Sequence, residues 1–600
     1  MQKKTSERIG TQTDNEPIET IVHSEEVLVS NGVDSTSKET QEEPSQPTKP
    51  QKRRLLARFR TKKWLAVFLA ILLVITILGV VPFTRYKILA LFVKEPLTIT
   101  VFDSTTHAPI TGAIVRVNTT TATTNASGQA TVTVPVGDTT ASISKQYYKS
   151  ATSSTLVTLT SSQNALSLNL VATGRQVPIM VMNKINNQPV ANATIKVLDT
   201  VAQTDKNGKA TIVLPTTTAT QGAAISATGY NTLQAPVTVT SQVVAMNSFT
   251  IVPAGKVYFL SNLSGKIDVV STNLDGSSRT TVVAGTGSET PDSTALLAAR
   301  DWKYLALQSK RDTSTQSKIY LITTSTNNLS VIDEGTNVSF NFIGWDGDNF
   351  VYTVDRQKAI NGTYDQTVLK SFNASTGHIT TIDQTDTQIV GYGVPASTAI
   401  QASLLSDGIL YTKFWNSSYS PGLSGKTQVI VKTKPDGSSA QTLKTFNATD
   451  YQVIGQQIGG PDEVYYQLSN YISSPSSSTY LHYQNGSIQS TTEVNDNNFY
   501  SNTYATYLVS PSGNGTFWSV PTDGKNNLLI GDQDGNNASS IAKLSDYDTY
   551  GWYSDSYLLV SKNGSELYIL PANGGNALKI SDYYKPPQYF RGYGGGYGGI

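Results

Sequence analysis

Cysteine is absent from all 600 residues of the chain. That excludes disulfides, thiolate metal sites and thiol nucleophiles together. An exported eukaryotic protein of this length would more often carry disulfides, so a bacterial chain is expected. Histidine is scarce too: His23, His107, His378 and His482 lie far apart and show no metal-pair spacing such as HExxH. Surface and strand positions account for all four, and no metal and no cofactor are expected. Charge is low and balanced, 15% of residues with a formal net charge of +1, which gives no reason to expect a nucleic acid partner. No Gly-x-Ser-x-Gly elbow occurs. The acidic turn Asp532-Gln533-Asp534-Gly535-Asn536 lacks the further ligands and the closing Glu of an EF-hand, and reads as a polar turn. No catalytic residue is assigned.

Long hydrophobic runs are lacking except for one, WLAVFLAILLVITILGVV, the eighteen residues from Trp64 to Val81. At 1.5 Å per residue it reaches about 27 Å, close to the hydrocarbon thickness of a bilayer. Lys49, Lys52, Arg53, Arg54, Arg58, Arg60, Lys62 and Lys63 precede it without an acidic residue, against Arg85, Lys87 and Lys94 after it. The positive-inside rule then places the N-terminus in the cytoplasm and the C-terminal part outside the cell membrane, so the lipid bilayer is the first expected partner. The competing reading, a cleaved signal peptide, wants a short leader and a small-x-small site, whereas here 63 residues precede the run and Gly79-Val80-Val81-Pro82 follows. An uncleaved signal anchor is expected. Residues 1–63 read as a disordered tail, acidic first and then basic, the basic part either binding anionic lipid or only fixing topology. Residues 82–96 either extend the span or lie along the outer surface.

The remainder is rich in Thr, Ser, Gly, Asn and Tyr, a composition suited to short strands and many turns. Pro109, Ala113, Gly128 and Pro135 recur as Pro189, Ala193, Gly208 and Pro215, a constant shift of 80. Alternation in AIVRV, ATVTV, TIKVL and ATIVL is the signature of half-buried strands. The stretches Asn125-Ala126-Ser127-Gly128 and Asp205-Lys206-Asn207-Gly208 read as hairpin turns. The pattern, best in Thr204-Asp205-Lys206-Asn207-Gly208 with Gly229-Tyr230, resembles the carboxypeptidase regulatory-like domain. That resemblance implies two tandem Ig-like, transthyretin-like β-sandwiches, at 97–172 and 175–252, with a spacer role. The first copy departs from the pattern at Asn125 and at Tyr147-Tyr148, which no Gly precedes.

From residue 254 to 593 a longer repeat takes over. Turn residues 301, 346, 407, 462, 512 and 555 each precede an apolar strand, at steps of 43 to 61. A further copy begins at Gly255, so a seven-bladed β-propeller is expected. The Ser-Pro-Asp-Gly-like turns resemble propellers of the TolB and dipeptidyl-peptidase kind. Innermost strands are expected at Ile343-Gly344-Trp345, Val390-Gly391-Tyr392, Ile454-Gly455-Gln456 and Tyr550-Gly551-Trp552. Blade 1 has none before it; Tyr589-Phe590-Arg591-Gly592-Tyr593 either closes the ring there or belongs, with the Gly/Tyr tail 594–600, to a flexible end.

Four consecutive blades carry longer loops, all expected on one propeller face, holding Arg311, Arg356, Tyr364, Trp415, Tyr419 and Tyr471. Aromatics and Arg on the loops of a rigid face are what recognition surfaces use, though ordinary surface variation produces such loops as well. The leading expectation is a mainly β, single-pass membrane protein displaying a propeller on a sandwich stalk to bind a protein or glycan. The rivals are a propeller enzyme acting on envelope glycans or peptides through channel carboxylates, and a transmembrane sensor.

Overall fold

The computed structural model describes residues 66–73, 76, 82–160, 162, 164–216, 219–239, 246–357, 365–385, 387–390, 394–416, 423–449, 452–460, 462–470, 477–491, 509–522, 525–532, 537, 539–543 and 547–584. Two compact units separate, 1–80 and 81–600. In the first, residues 66–73 are helical, and Val67, Phe68, Leu69, Ile71, Leu72 and Leu73 are all exposed. Among the described residues no helix is long and apolar enough to cross a membrane. Apart from Thr76, the rest of the 64–81 run and the 1–63 tail lie outside the described residues.

The second unit opens with the helix Pro82–Leu89, whose first residue is a proline. Its ring presets φ at a position where no amide hydrogen is required. Tyr86 and Leu89, with Val93 after them, pack on the core of the first repeat, and a strand starts at Lys94 rather than at residue 97.

That repeat is two four-stranded sheets around one core. One sheet runs Gln129–Pro135, Lys94–Asp103, Ala165–Ala172, Tyr148–Lys149; the other runs Thr120–Thr123, Ile114–Val117, Gly137–Ser144, Ala151–Val157. Leu97, Ile99 and Val101 from one sheet meet Val115, Ala141 and Ile143 from the other. The second repeat keeps this order without a strand matching Tyr148–Lys149 among the described residues: Lys209–Leu214, Arg175–Asn183, Asn247–Ile251, facing Thr200–Gln203, Thr194–Val197, Gln221–Ser226, Leu233–Val237.

The shared motif residues do the same physical job in both copies. Asn125 Oδ1 accepts the amides of Ser127 and Gln129, and Asp205 Oδ1 those of Asn207 and Lys209, so the side chain closes each hairpin. Thr124 and Thr204 each donate to a carbonyl, of Ile110 and Val190, at 2.6 Å. Gly128 and Gly208 sit at φ +71 and +72, where an added Cβ would lie 2.6 Å and 2.5 Å from the carbonyls of Val101 and Val181. Both the conformation and the close approach demand glycine.

Seven antiparallel sheets follow among the described residues, each built from consecutive strands, at 256–283, 295–336, 338–384, 387–447, 452–491, 515–543 and 547–582. Blades 1 to 7 denote them in that order. Each central strand turns alternate side chains to its two neighbours, and among the described residues apolar seams join six of the seven adjacent pairs, including the last blade to the first. Leu260 meets Leu305 and Tyr320 between blades 1 and 2, and Ile319 meets Trp345 and Phe350 between 2 and 3. Val351 meets Leu404 between 3 and 4, Phe414 meets Tyr466 between 4 and 5, and Phe517 meets Leu558 between 6 and 7. Leu559 and Ile569 of blade 7 pack on Val257 and Phe259 of blade 1, so the last sheet returns to the first. That cyclic packing makes the region a β-propeller.

Innermost strands appear at Val338–Asp346, Gln452–Gly460 and Tyr547–Ser554, each with a register shift just before the predicted glycine: Phe342/Gly344, Val453/Gly455 and Thr549/Gly551. Gly344 and Gly551 have φ of +151 and +143, values that side chains with a Cβ rarely adopt. Blade 4 departs from expectation. The strand paired with Gly408–Asn416 is Val394–Leu405, and Val390 ends an added strand, Thr387–Val390, that folds back on it. Thr387–Val390 is therefore the inner edge of this five-stranded sheet, and residues 391–393 lie outside the described residues.

In blade 1 the strand Lys256–Ser261 pairs with Asp268–Asn273, and no strand precedes it in its sheet among the described residues. The Tyr584 amide donates to the Leu260 carbonyl at 2.8 Å, bringing the end of the described chain to this strand. The closing segment expected at 589–593 lies outside the described residues.

Candidate functional site

The expected recognition face is formed by the loops joining second to third strands and by the blade-to-blade connections. Two of its six residues have described side chains. Arg311 is half-buried: its guanidinium donates to the Ala284 carbonyl at 2.9 Å and lies 6.0 Å from the centre of the Tyr320 ring. Its own carbonyl accepts from Thr286 Oγ1 at 2.6 Å. Glu289 in turn accepts the amides of Thr286 and Gly287, so Arg311 and Glu289 together fix the blade 1 to blade 2 connection.

Trp415 corrects the loop reading. It belongs to the strand Gly408–Asn416 and is 7% exposed. Its indole N–H donates to the Thr427 carbonyl at 3.1 Å, and the Lys426 ammonium sits 5.2 Å from the ring centre. Leu423, fully buried, accepts the Lys426 amide through its carbonyl. Trp415 therefore braces the stems of the loop it was expected to decorate, because an aromatic ring next to a long connection is the nearest apolar surface for that connection to cover. Arg356 lies in the strand Asn349–Gln357, paired with Val338 and Gln366. Tyr364, Tyr419 and Tyr471 lie outside the described residues. On the same face Leu263, which sequence reasoning did not select, is 72% exposed between its strands.

Titratable groups that the fold brings together lie across two blade seams and within one blade. Asp333 of blade 2 accepts from the Tyr352 hydroxyl at 3.0 Å and the Lys370 ammonium at 2.6 Å, both of blade 3. Asp383 of blade 3 repeats the arrangement with Tyr411 at 3.1 Å and Lys413 at 3.2 Å of blade 4. Burial first, and then the neighbouring Asp383 carboxylate, push the Tyr411 hydroxyl well above its ordinary range, so it stays a neutral donor. On blade 5, His482 stacks on Tyr465 at 4.2 Å, and its Nε2 lies 2.5 Å from Glu463 Oε1, which also accepts from the Tyr465 hydroxyl at 3.0 Å. These pairs were invisible in the sequence, since outer-strand acid and next-blade Lys stand some 30 to 37 positions apart.

At the turn end of the ring Arg300 of blade 2 donates to the carbonyls of Val509 and Trp552, in blades that are not its neighbours. Trp302, at φ +61, stacks between Tyr258 of blade 1 and Tyr553 of blade 7 at 6.2 Å and 5.1 Å. An aromatic row and a guanidinium thus close this end where blade 1 is thinnest. Among the described residues no three His, Asp or Glu side chains are grouped so as to hold a metal ion.

No family model and no curated protein matches this chain. Solved structures do resemble it. The β-propeller domain of the trilobed protease from Pyrococcus furiosus matches at 14% identity and TM-score 0.31, over 56% of this chain and 94% of that one. TolB from Acinetobacter baumannii matches at 14% and 0.25, over 53% and 74%. An oligogalacturonate lyase in complex with manganese matches at 11% and 0.31, over 54% and 84%. These likenesses assign no chemistry to this chain.

Proposed function

We propose that the chain is a single-pass bacterial membrane protein whose two sheet repeats form a stalk and whose propeller binds a protein or glycan outside the cell. The observation that carries this reading is serial docking through one repeated position. Asp103 ends a strand of the first repeat and accepts from Gln176 Nε2 of the second at 2.7 Å. Eighty residues on, Asn183 donates to the Tyr557 hydroxyl of blade 7 at 2.8 Å and to Tyr230 at 3.3 Å. Next to it Lys184 pairs with Asp275 of blade 1 at 2.7 Å, and Ile185 is buried in the seam between blades 1 and 7. Each unit is therefore fixed on the next, as a spacer needs. The positive-inside flanks of the 64–81 run supply the orientation, and the carboxypeptidase regulatory-like pattern supplies the spacer role.

The binding face carries Arg356, Tyr364, Tyr419 and Tyr471 in this reading, while Arg311 and Trp415 make the structural contacts given above. The test is retention of envelope proteins or glycans by the full chain in detergent, with and without Tyr→Ala at those three tyrosines. Specific retention lost in the triple variant supports the reading. Retention no greater than that of a control resin removes it.

A further inference from the structure

Exposed large apolar side chains are unevenly placed. Val67, Phe68, Leu69, Ile71, Leu72, Leu73, Ile88, Leu91 and Phe92 account for half of those in the described residues. The last three are not part of the 64–81 run. They belong to the segment whose other side, Tyr86, Leu89 and Val93, is packed on the first repeat. Leu91 and Phe92 are 77% and 82% exposed, more than any other large apolar residue of the described chain, and stand side by side in the turn between the helix Pro82–Leu89 and the strand from Lys94.

A flexible tail with apolar tips would be unremarkable; these two residues are held. The Leu91 amide donates to the Ile88 carbonyl and those of Phe92 and Val93 to the Leu89 carbonyl, so the turn is hydrogen-bonded throughout. Packing of Tyr86 against Gly137 and of Val93 on the core ties the turn to the repeat. A rigid domain that presents two adjacent large apolar side chains has a surface that water does not favour. The occupant is indicated by chain order, because the apolar run ends at Val81 and the helix begins at Pro82. Lys94, exposed beside them, suits phosphate head groups.

We infer that Ile88, Leu91 and Phe92 form a membrane-seating edge, with Leu91 and Phe92 inserted at the head-group level of the outer leaflet. This inference rests on the anchor reading above. It makes the first repeat a foot resting on the bilayer, where a loose tether would leave the stalk free to tilt.

The chain's lack of cysteine makes the test direct. Single variants Leu69→Cys, Leu91→Cys, Phe92→Cys and Leu263→Cys of the full chain are labelled with an environment-sensitive fluorophore and reconstituted in phosphatidylcholine and phosphatidylglycerol vesicles. Nitroxide quenchers are placed at the head group or deep in the acyl chains. The expected result is deep quenching at Leu69, shallow quenching with blue-shifted emission at Leu91 and Phe92, and water-like emission at Leu263. Deep quenching at Leu69 with water-like emission at both Leu91 and Phe92 overturns the seating edge and leaves the anchor standing. Water-like emission at Leu69 overturns both. Phe92→Asp, which keeps the packed side of the turn intact, is expected to abolish head-group quenching of a label at Leu91; unchanged quenching counts against insertion.

Discussion

The joint between the second repeat and the propeller gives the sharpest perturbation. Asn183 is 3% exposed and its side chain makes three hydrogen bonds: Nδ2 donates to the hydroxyls of Tyr557 and Tyr230, and Oδ1 accepts the Ile185 amide. Replacing it with Ala leaves the buried Ile185 amide and Tyr557 hydroxyl without these partners. Each orphaned buried group costs about 1–3 kcal/mol, but water entering the opened joint recovers part of that. A net loss of about 2 kcal/mol is expected, and it should fall on the joint, since apart from Ile185 and Val252 the repeat and the blades keep separate cores. That energy corresponds to a roughly 30-fold rise in the population of opened joints. Limited proteolysis between Ile251 and Lys256, in the regime where cleavage is slower than closing, reads the population directly. Tyr557→Phe removes only one partner and should raise cleavage by less, and the double variant should show coupling between the two positions. Cleavage unchanged in Asn183→Ala would refute the idea that this side chain locks the stalk to the propeller.

Gly208→Ala should lower the urea midpoint of the chain, since the strained φ alone costs about 1–3 kcal/mol before the clash with the Val181 carbonyl is added; an unchanged midpoint would contradict the close approach. Removing residues 585–600 should lower the melting temperature if they complete blade 1, whose strand Lys256–Ser261 already takes the Tyr584 amide on its Leu260 carbonyl. Equal stability would mean that nothing after Tyr584 completes blade 1. Burial pushes the Asp275 carboxyl up, but its bonds to the Lys184 ammonium and to Ser277 outweigh that and hold it below its ordinary range. Its contribution to the joint is therefore fully present above the unfolded carboxylate pKa of about 4 and is lost as pH falls through the lower folded value. Proteolysis of the joint across acid pH should show this loss in the natural chain and not in Asp275→Asn.

Legibility in the sequence followed the range of the interactions. The hairpin at 205–209 is read from five adjacent residues because its hydrogen bonds are local, and all seven strands predicted after a turn, from Lys256–Ser261 to Tyr557–Lys562, are present. The bulge glycines 344 and 551 were legible for the same reason. Asp103 and Asn183 were not, since their partners lie 73 and 374 positions away and nothing local distinguishes a docking Asn from a turn Asn. Trp415 misled because an aromatic next to Asn416 and Ser417 reads as loop, whereas its burial depends on Lys426 and Thr427 returning over it. The strand Val394–Leu405 escaped notice because it lacks the glycine that marks the inner strands of the other blades.

The display role of the propeller depends on which side of a membrane it lies. A chain without cysteine allows a single measurement to decide it. Leu263→Cys, exposed on the propeller, and Ser37→Cys in the N-terminal tail are challenged on intact cells with a membrane-impermeant maleimide. The expected outcome is labelling of Leu263→Cys at once and of Ser37→Cys only after lysis. The reverse pattern, or protection of both until lysis, would contradict an extracytoplasmic propeller.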